Sequence, residues 1–191
     1  MRSPDRGFTL IEMVVGIVLL AIALTTILGL LINQAPRAID PVQQLRAAQL
    51  AERLLGEVMQ RSFDEHSDHN SGSYRCGETV DSVTYDACTA EASYGPDSGE
   101  TAPYLYNDVD DFDTAGQWRA ANLYVQQSSL GTQESDYRNF SVRIAVTPVD
   151  ISSGDMSATC SDPCSIGKRI ALSIRLPDKS ELDFATYRGN Y

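Results

Sequence analysis

The chain has 191 residues, which is enough for one domain with a substantial core after an apolar N-terminal stretch. Hydrophobic residues make up 42% of it, a share typical of a globular protein that argues against wholesale disorder. The formal net charge is −11, and residues 64–118 carry thirteen Asp or Glu against one Arg. Because this acidic segment would repel phosphates, it argues against nucleic acid as a partner, whereas it permits cation binding or simply keeps a surface soluble.

The first predicted element is a membrane-spanning helix. Residues 13–32 contain no charged side chain and would span about 30 Å as a helix, which matches a bilayer core. Arg2 and Arg6 precede this stretch, which favours an N-terminus left in the cytoplasm. A secretory signal peptide cut after Ala23 is the alternative interpretation, although the apolar run continues beyond that site.

A six-residue motif stands at the start of this helix. The segment "GFTLIE", Gly7 to Glu12, follows a short basic leader and precedes the long apolar run. It resembles the processing motif of type IV pilins and related pseudopilins. The resemblance implies that prepilin peptidase cuts between Gly7 and Phe8 and that Phe8 is then N-methylated. It also implies that Phe8, Thr9 and Glu12 serve subunit assembly, with Glu12 aligning an incoming subunit to the N-terminus of one already in the fibre.

The charge of Glu12 fits this role on physical grounds. Cleavage would place an ammonium group on Phe8, four residues before Glu12, and residues spaced i and i+4 share one helix face. A lone carboxylate at the centre of a membrane helix costs roughly 2.5–3.5 kcal/mol, less near an end, and pairing with an ammonium offsets part of that cost. An interfacial glutamate that snorkels to water is the alternative.

The helix is predicted to continue through residues 36–61 in amphipathic form. Its apolar residues follow the spacing i, i+3, i+4, i+7, i+8, i+11, namely Ala47, Leu50, Ala51, Leu54, Leu55 and Val58. Such a one-sided stripe requires a partner surface. We therefore expect this half of the helix to pack on a globular head.

Four cysteines, Cys76, Cys88, Cys160 and Cys164, follow the apolar helix. An even number in an exported domain favours disulfides, and three connectivities are possible. We favour the local pairing, Cys76–Cys88 and Cys160–Cys164, which closes two short loops. A four-cysteine zinc site is the alternative, but the spacings lack the pairs of short knuckles that such sites use.

The run "NDVDDFDTAG", residues 107–116, is the best candidate for a cation site. Calcium takes six to eight oxygens, several of them from carboxylates, and Asp108, Asp110, Asp111 and Asp113 would supply some. The EF-hand spacing is not met, so a solvated acidic loop is the default prediction. We expect no cofactor, with calcium as the open alternative.

The C-terminal third predicts an antiparallel sheet. Apolar and polar residues alternate over 140–147, 170–176 and 182–186, as in strands buried on one face, and "PDKS" forms a turn between the last two. The segment 121–127 is a possible further strand. With the amphipathic helix on one face of the sheet, these patterns predict an α+β fold.

The predicted architecture agrees with what the pilin resemblance implies, a long N-terminal helix packed on a C-terminal antiparallel sheet. We divide the chain into a leader (1–7), a transmembrane and fibre-core helix (8–35), an amphipathic helix half (36–61) and a periplasmic or extracellular head (62–191). Three segments, "AQLAERLLGEVMQRSFDEHSD", "NDVDDFD" and "YRGNY", resemble one subgroup, the minor pilins of MSHA-type pili.

The resemblance implies a minor pilin that joins or primes a pilus used in surface attachment. Its expected partners are other pilin subunits, prepilin peptidase and the inner-membrane assembly platform. Its expected location is the inner membrane, as a single-pass protein, and then the cell-surface pilus. A minor pseudopilin of a type II secretion system and a calcium-assisted adhesive head are the alternatives. The usual nucleophile, phosphate-binding and zinc-protease motifs are missing from the sequence, so we predict no enzyme.

Overall fold

The computed structural model of the chain describes residues 9–69, 72–125, 134–152, 154 and 158–190, and within these it describes residues 30–40 and 134 by their backbone alone. The chain divides into two compact units, residues 1–45 and 46–191. A helix, α1, runs from Leu10 to Val58. Its last turns therefore belong to the second unit, which also contains every strand.

The predicted apolar stripe of α1 is confirmed within the second unit. Ala47, Leu50, Ala51, Leu54 and Val58 are buried. They share one core cluster with the inward-facing side chains of the sheet, and Leu55 packs at its border. Spacings of three and four residues place these side chains on one side of a helix, so burying them requires a facing apolar layer.

The sheet supplies that layer and has four antiparallel strands in the order β3-β4-β5-β6. The strands are β3 (Arg119–Ala120), β4 (Ser141–Pro148), β5 (Gly167–Arg175) and β6 (Glu181–Gly189). Alternate residues of β4 and β5 are buried, as the period-two pattern predicted: Val142, Ile144, Val146, Ile170, Leu172 and Ile174. The α+β arrangement of an apolar N-terminal helix followed by an antiparallel sheet is thus confirmed, and it is consistent with a type IV pilin fold.

The segment before the sheet is irregular, with one small hairpin between β1 (Thr79–Val80) and β2 (Val83–Thr84). The further strand predicted over 121–127 is wrong for residues 121–125. There the chain forms a 3₁₀ turn, Ala121–Tyr124, directly after the two-residue strand β3. Ala121 and Tyr124 are buried in the core, so tertiary packing overrides the strand propensity of this segment.

Residues 107–116, which we call the acidic run, cover the part of the β4 edge that β3 leaves unpaired. The hydroxyl and the backbone N–H of Thr114 both donate to the carbonyl of Ile144, at 2.9 and 3.0 Å. The backbone N–H of Val146 donates to Oδ2 of Asp113 at 2.8 Å. Side chains of the run thus satisfy backbone groups that a neighbouring strand would otherwise satisfy.

Shortening a buried side chain of the α1 stripe should lower the stability of the second unit. We expect Leu50→Ala to lower the free energy of unfolding of the second unit by about 2–5 kcal/mol, because it leaves a cavity in the core. Denaturant titration followed by the fluorescence of the single tryptophan, Trp118, measures this change in the full chain. Glu52→Ala on the exposed side of the same helix is the control and should cost less than about 1 kcal/mol. Equal losses in both variants would contradict the assigned packing.

Candidate functional site

The first candidate site is the start of α1. Thr9 directly precedes the helix, and its Oγ1 accepts a hydrogen bond from the backbone N–H of Glu12 at 3.4 Å. Thr9 is therefore an N-cap, and the Thr-x-x-Glu spacing is that of a capping box. The sequence already contained this signal, but the analysis of Thr9 and Glu12 as assembly residues missed it. Gly7 and Phe8 lie outside the described residues.

Glu12 is exposed and occupies the first turn of the helix. A negative charge at this position interacts favourably with the positive end of the helix dipole. The carboxylate of Glu12 therefore stabilises the start of its own helix, whether or not it also contacts another subunit. The pairing of Glu12 with an N-terminal ammonium stays a prediction.

The apolar part of α1 is long and uniform. Residues Leu10–Gly29 have a mean hydropathy of 2.6, and by length and composition this segment is able to cross a membrane. The hydroxyls of Thr25 and Thr26 donate to the carbonyls of Ile22 and Ala23, at 2.9 and 2.8 Å. The helix itself thus satisfies its two hydroxyls, which suits apolar surroundings such as lipid or neighbouring helices.

The head contains both of the favoured disulfides, Cys76–Cys88 and Cys160–Cys164. Cys76 and Cys88 form a small buried cluster with Phe63. Among the described residues, one group of potential metal ligands comes together, Asp64 with Cys76 and Cys88. Both of its sulfurs are held in the disulfide, so they do not provide the thiolates that a zinc site needs.

The acidic run is not the solvated loop of the default prediction. Asp108, Asp110 and Asp111 are all at least 96% buried. Asp108 Oδ1 accepts the backbone N–H groups of Asp110 and Asp111 at 2.8 and 3.2 Å. Asp111 Oδ2 accepts those of Asn107 and Asp108 at 2.9 and 3.0 Å. These aspartates hold a tight turn through their own backbone, and that hydrogen bonding is why their burial is tolerated.

These hydrogen bonds also occupy oxygens that a calcium ion would need as ligands. Asp113 also uses both oxygens, on the N–H groups of Ala115 and Val146 at 2.6 and 2.8 Å. Asp110 contacts a lysine instead. The candidate carboxylates therefore bond to backbone groups and to a cation of the protein itself. The expectation of no cofactor, with calcium as the open alternative, stays a prediction, and melting curves with calcium and with chelator are the measurement that checks it.

The cation is Lys168, at the start of β5, which is fully buried. Its Nζ donates to the carbonyl oxygen of Phe63 at 2.8 Å and to Asp64 Oδ2 at 3.0 Å. Its third contact is Oδ1 of Asp110. We call Lys168, Asp64 and Asp110 the Lys168 cluster. An ammonium has three donors, and the cluster with Phe63 occupies all three.

Aromatic rings and further donors surround the Lys168 cluster. The rings of Phe63 and Tyr94 lie 4.6 and 4.9 Å from Nζ, within the range of cation–π attraction. Asp64 Oδ1 accepts the backbone N–H of His66 at 3.1 Å and the hydroxyl of Thr89 at 3.2 Å. The N–H of Thr89 donates to Oδ2 of the same carboxylate at 2.9 Å. Asp64 is thus a hydrogen-bonded anion even apart from the lysine.

Our sequence analysis missed the Lys168 cluster. One local feature of the sequence indicates it. Lys168 stands two residues before Ile170 in the alternating pattern of β5, so it lies on the same buried face as Ile170, Leu172 and Ile174. A lysine at a strand position that faces the core indicates a buried charge that needs an anionic partner. No local pattern identifies the partners, which lie 104 and 58 residues away in sequence.

Burial changes the protonation of the neighbouring carboxyls. Burial, and after it the negative charges of Asp110 and Asp111, raises the pKa of Asp108 to about 9. Burial and a hydrogen bond with Asp111 raise the pKa of Glu100 to about 7. Burial also raises the pKa of Asp110, and the charge of Lys168 opposes that effect. Within the acidic run, burial therefore favours the protonated form of Asp108 at neutral pH.

Comparison with known proteins finds a match at the N-terminal end of the chain. A family model described as the prokaryotic N-terminal methylation motif matches residues 2–28. No curated protein and no solved structure matches the chain. The matched region contains Gly7, Phe8, Thr9 and Glu12 together with most of the apolar segment.

The match supports a type IV pilin-like or pseudopilin-like protein. It implies processing by prepilin peptidase and assembly with other pilins. With the apolar helix, it fits membrane anchoring followed by incorporation into a fibre. It also suggests a structural protein rather than an enzyme.

The raised pKa of Asp108 predicts a pH-dependent stability. Between its ordinary value of 3.8 and about 9, the folded carboxyl binds more protons than the unfolded one, so the free energy of unfolding falls as pH rises. Asp108→Asn keeps an acceptor oxygen without the charge. We expect wild type to lose stability relative to this variant over that range, by at most about 1.4 kcal/mol per pH unit.

Denaturant titrations of the full chain at several pH values measure this difference. Asp97→Asn, at an exposed position of the acidic segment, is the matched control and should follow wild type. Parallel curves for wild type and Asp108→Asn would show that Asp108 is not protonated in the folded head.

Proposed function

We propose that the chain is a minor pilin of an MSHA-like type IV pilus, related to its minor pilin D subgroup. After cleavage at Gly7 it is incorporated into the fibre or primes fibre assembly, and the pilus serves surface attachment. The observation that carries the pilin part is the match to the methylation motif over residues 2–28, which includes most of the exposed apolar segment Leu10–Gly29. The subgroup is supported by the three resembling segments, two of which contain Asp64 and Asp110 of the Lys168 cluster.

The proposed mechanism is association. The apolar face of α1 first lies in the inner membrane and then packs against the helices of other subunits. In that bundle, Glu12 pairs with the N-terminal ammonium of its own or a neighbouring chain. Such pairing stabilises one axial register, because a carboxylate among apolar helices is costly without a partner.

Two alternative functions remain, and each has its own test. A minor pseudopilin of a type II secretion system would carry the same motif, so the composition of purified surface pili decides between them. Detecting the chain in those pili supports the pilus assignment, whereas its absence from pili together with a secretion defect on deletion supports the pseudopilus. A calcium-assisted adhesive head is the second alternative and depends on the calcium measurement above.

Cleavage after Gly7 is the first prediction of this function. Mass spectrometry of the membrane-extracted chain should find Phe8 with one added methyl as the N-terminal residue. Gly7→Ala should abolish this product and leave the full-length chain in the membrane. A wild-type chain beginning at Leu24 would indicate signal peptidase, one beginning at Met1 a plain anchor, and Phe8 as the first residue of Gly7→Ala would contradict the processing site.

The role of Glu12 gives the second prediction. Glu12→Ala should leave membrane insertion and head folding unchanged while its content in purified fibres falls at least about tenfold, which corresponds to 1.4 kcal/mol of lost pairing. Glu52→Ala, which removes an exposed carboxylate from the other half of α1, is the matched control. Fibres that contain normal amounts of the Glu12→Ala chain would contradict the proposed pairing.

A further inference from the structure

The Lys168 cluster brings an amine and a carboxyl into direct contact away from water. Nζ of Lys168 touches Oδ1 of Asp110, the Lys168 side chain is fully buried, and that of Asp110 is 5% exposed. The ring centroids of Phe63 and Tyr94 lie 4.6 and 4.9 Å from Nζ. Lysine and aspartate side chains are the two components of an amide bond, and here the fold holds them together.

The two carboxylates of the cluster are not equivalent. Asp64 is held by donors from His66 and Thr89 and is satisfied without the lysine. Asp110 has Lys168 as its partner at Oδ1, and its carboxyl is hydrogen-bonded to that of Asp108. Asp110 is therefore placed as the group that reacts, and Asp64 as the fixed anion beside the amine.

We propose that Lys168 and Asp110 form an intramolecular isopeptide bond, with Asp64 and Asp108 assisting the reaction. Asp64 Oδ2, 3.0 Å from Nζ, accepts a proton from the ammonium, and the freed lone pair attacks Cγ of Asp110. Asp108 delivers one proton to the departing oxygen of Asp110 and regains one from the attacking nitrogen. Asp64 passes its proton to the same oxygen, and the C–O bond breaks to release water. The chemistry requires no oxidant, reductant or cofactor.

The atoms and charges of this step balance. Of the three hydrogens on the ammonium, one stays on the amide nitrogen and two leave with one oxygen of Asp110 as a water molecule. One positive and one negative charge disappear together, so the net charge of the chain does not change. Asp64 and Asp108 relay protons and end in the state in which they began.

Three features of the site favour the reaction. Holding the two groups in contact replaces a bimolecular encounter, an effect equivalent to effective concentrations on the order of 10⁵ M or more in well-oriented systems. Asp64 Oδ2, 3.0 Å from Nζ, places a proton acceptor within hydrogen-bond reach of the amine. Replacing a buried ion pair by a neutral amide also removes the cost of keeping two charges out of water.

Peptide mapping of the full-length chain, purified in detergent, reduced and digested with trypsin, tests the proposal. Asp110 lies in the tryptic peptide 76–119, Asp64 in 62–75 and Lys168 at the end of 144–168. Because an acylated lysine blocks cleavage, we expect peptide 76–119 joined to peptide 144–169, with a mass one water below the sum of the two. The intact reduced chain should likewise be one water lighter than the mass calculated for the N-terminal form that is observed.

Two variants complete the design. Asp110→Ala should abolish the joined peptide and restore the intact mass calculated for its observed N-terminal form without loss of water. Asp97→Ala, which changes an exposed carboxylate within the same tryptic peptide, should keep the bond. Free peptides 76–119 and 144–168 from the wild-type chain overturn the proposal, and so does a bond from Lys168 to peptide 62–75. Because the readout uses wild type, it does not depend on the folding of any variant or on the pilin assignment.

Discussion

The head depends on one interaction, the burial of the Lys168 ammonium between Asp64 and Asp110. Removing a lysine and two carboxylates from water is costly unless every polar atom finds a partner, and here Phe63 provides the third acceptor. The cluster joins the segment after α1, the acidic run and the start of β5. Both as an ion pair and, as proposed, as an amide, Lys168 connects the same three segments.

The acidic run shows how composition is misleading when it is taken alone. Its carboxylates looked like a solvated surface or a calcium loop, yet Asp108, Asp110 and Asp111 are buried, and Asp108 and Asp111 cap the backbone of their own turn. The run also covers the edge of β4 through Asp113 and Thr114. The carboxyl groups of the run therefore serve the folding of the head, and burial raises the pKa of Asp108.

The two units meet different solvation requirements. Residues Leu10–Gly29 expose apolar side chains on all sides and require lipid or other helices around them. The second unit buries the stripe from Ala47 to Val58 within its own core and adds two disulfides. A subunit that moves from a membrane to a fibre fits this division, because the apolar segment changes partners while the head keeps its own core.

The sequence by itself determined the elements whose cause is local. Spacings of two to four residues identified the strands, the stripe of α1 and the apolar segment, and "GFTLIE" identified the processing motif. Only the tertiary structure decided that residues 121–124 form a turn, that Asp108, Asp110 and Asp111 are buried, and that Lys168 meets Asp64 and Asp110. The physical reason is that periodicity records which face of an element is apolar, whereas the burial of a charge depends on partners up to 105 residues away.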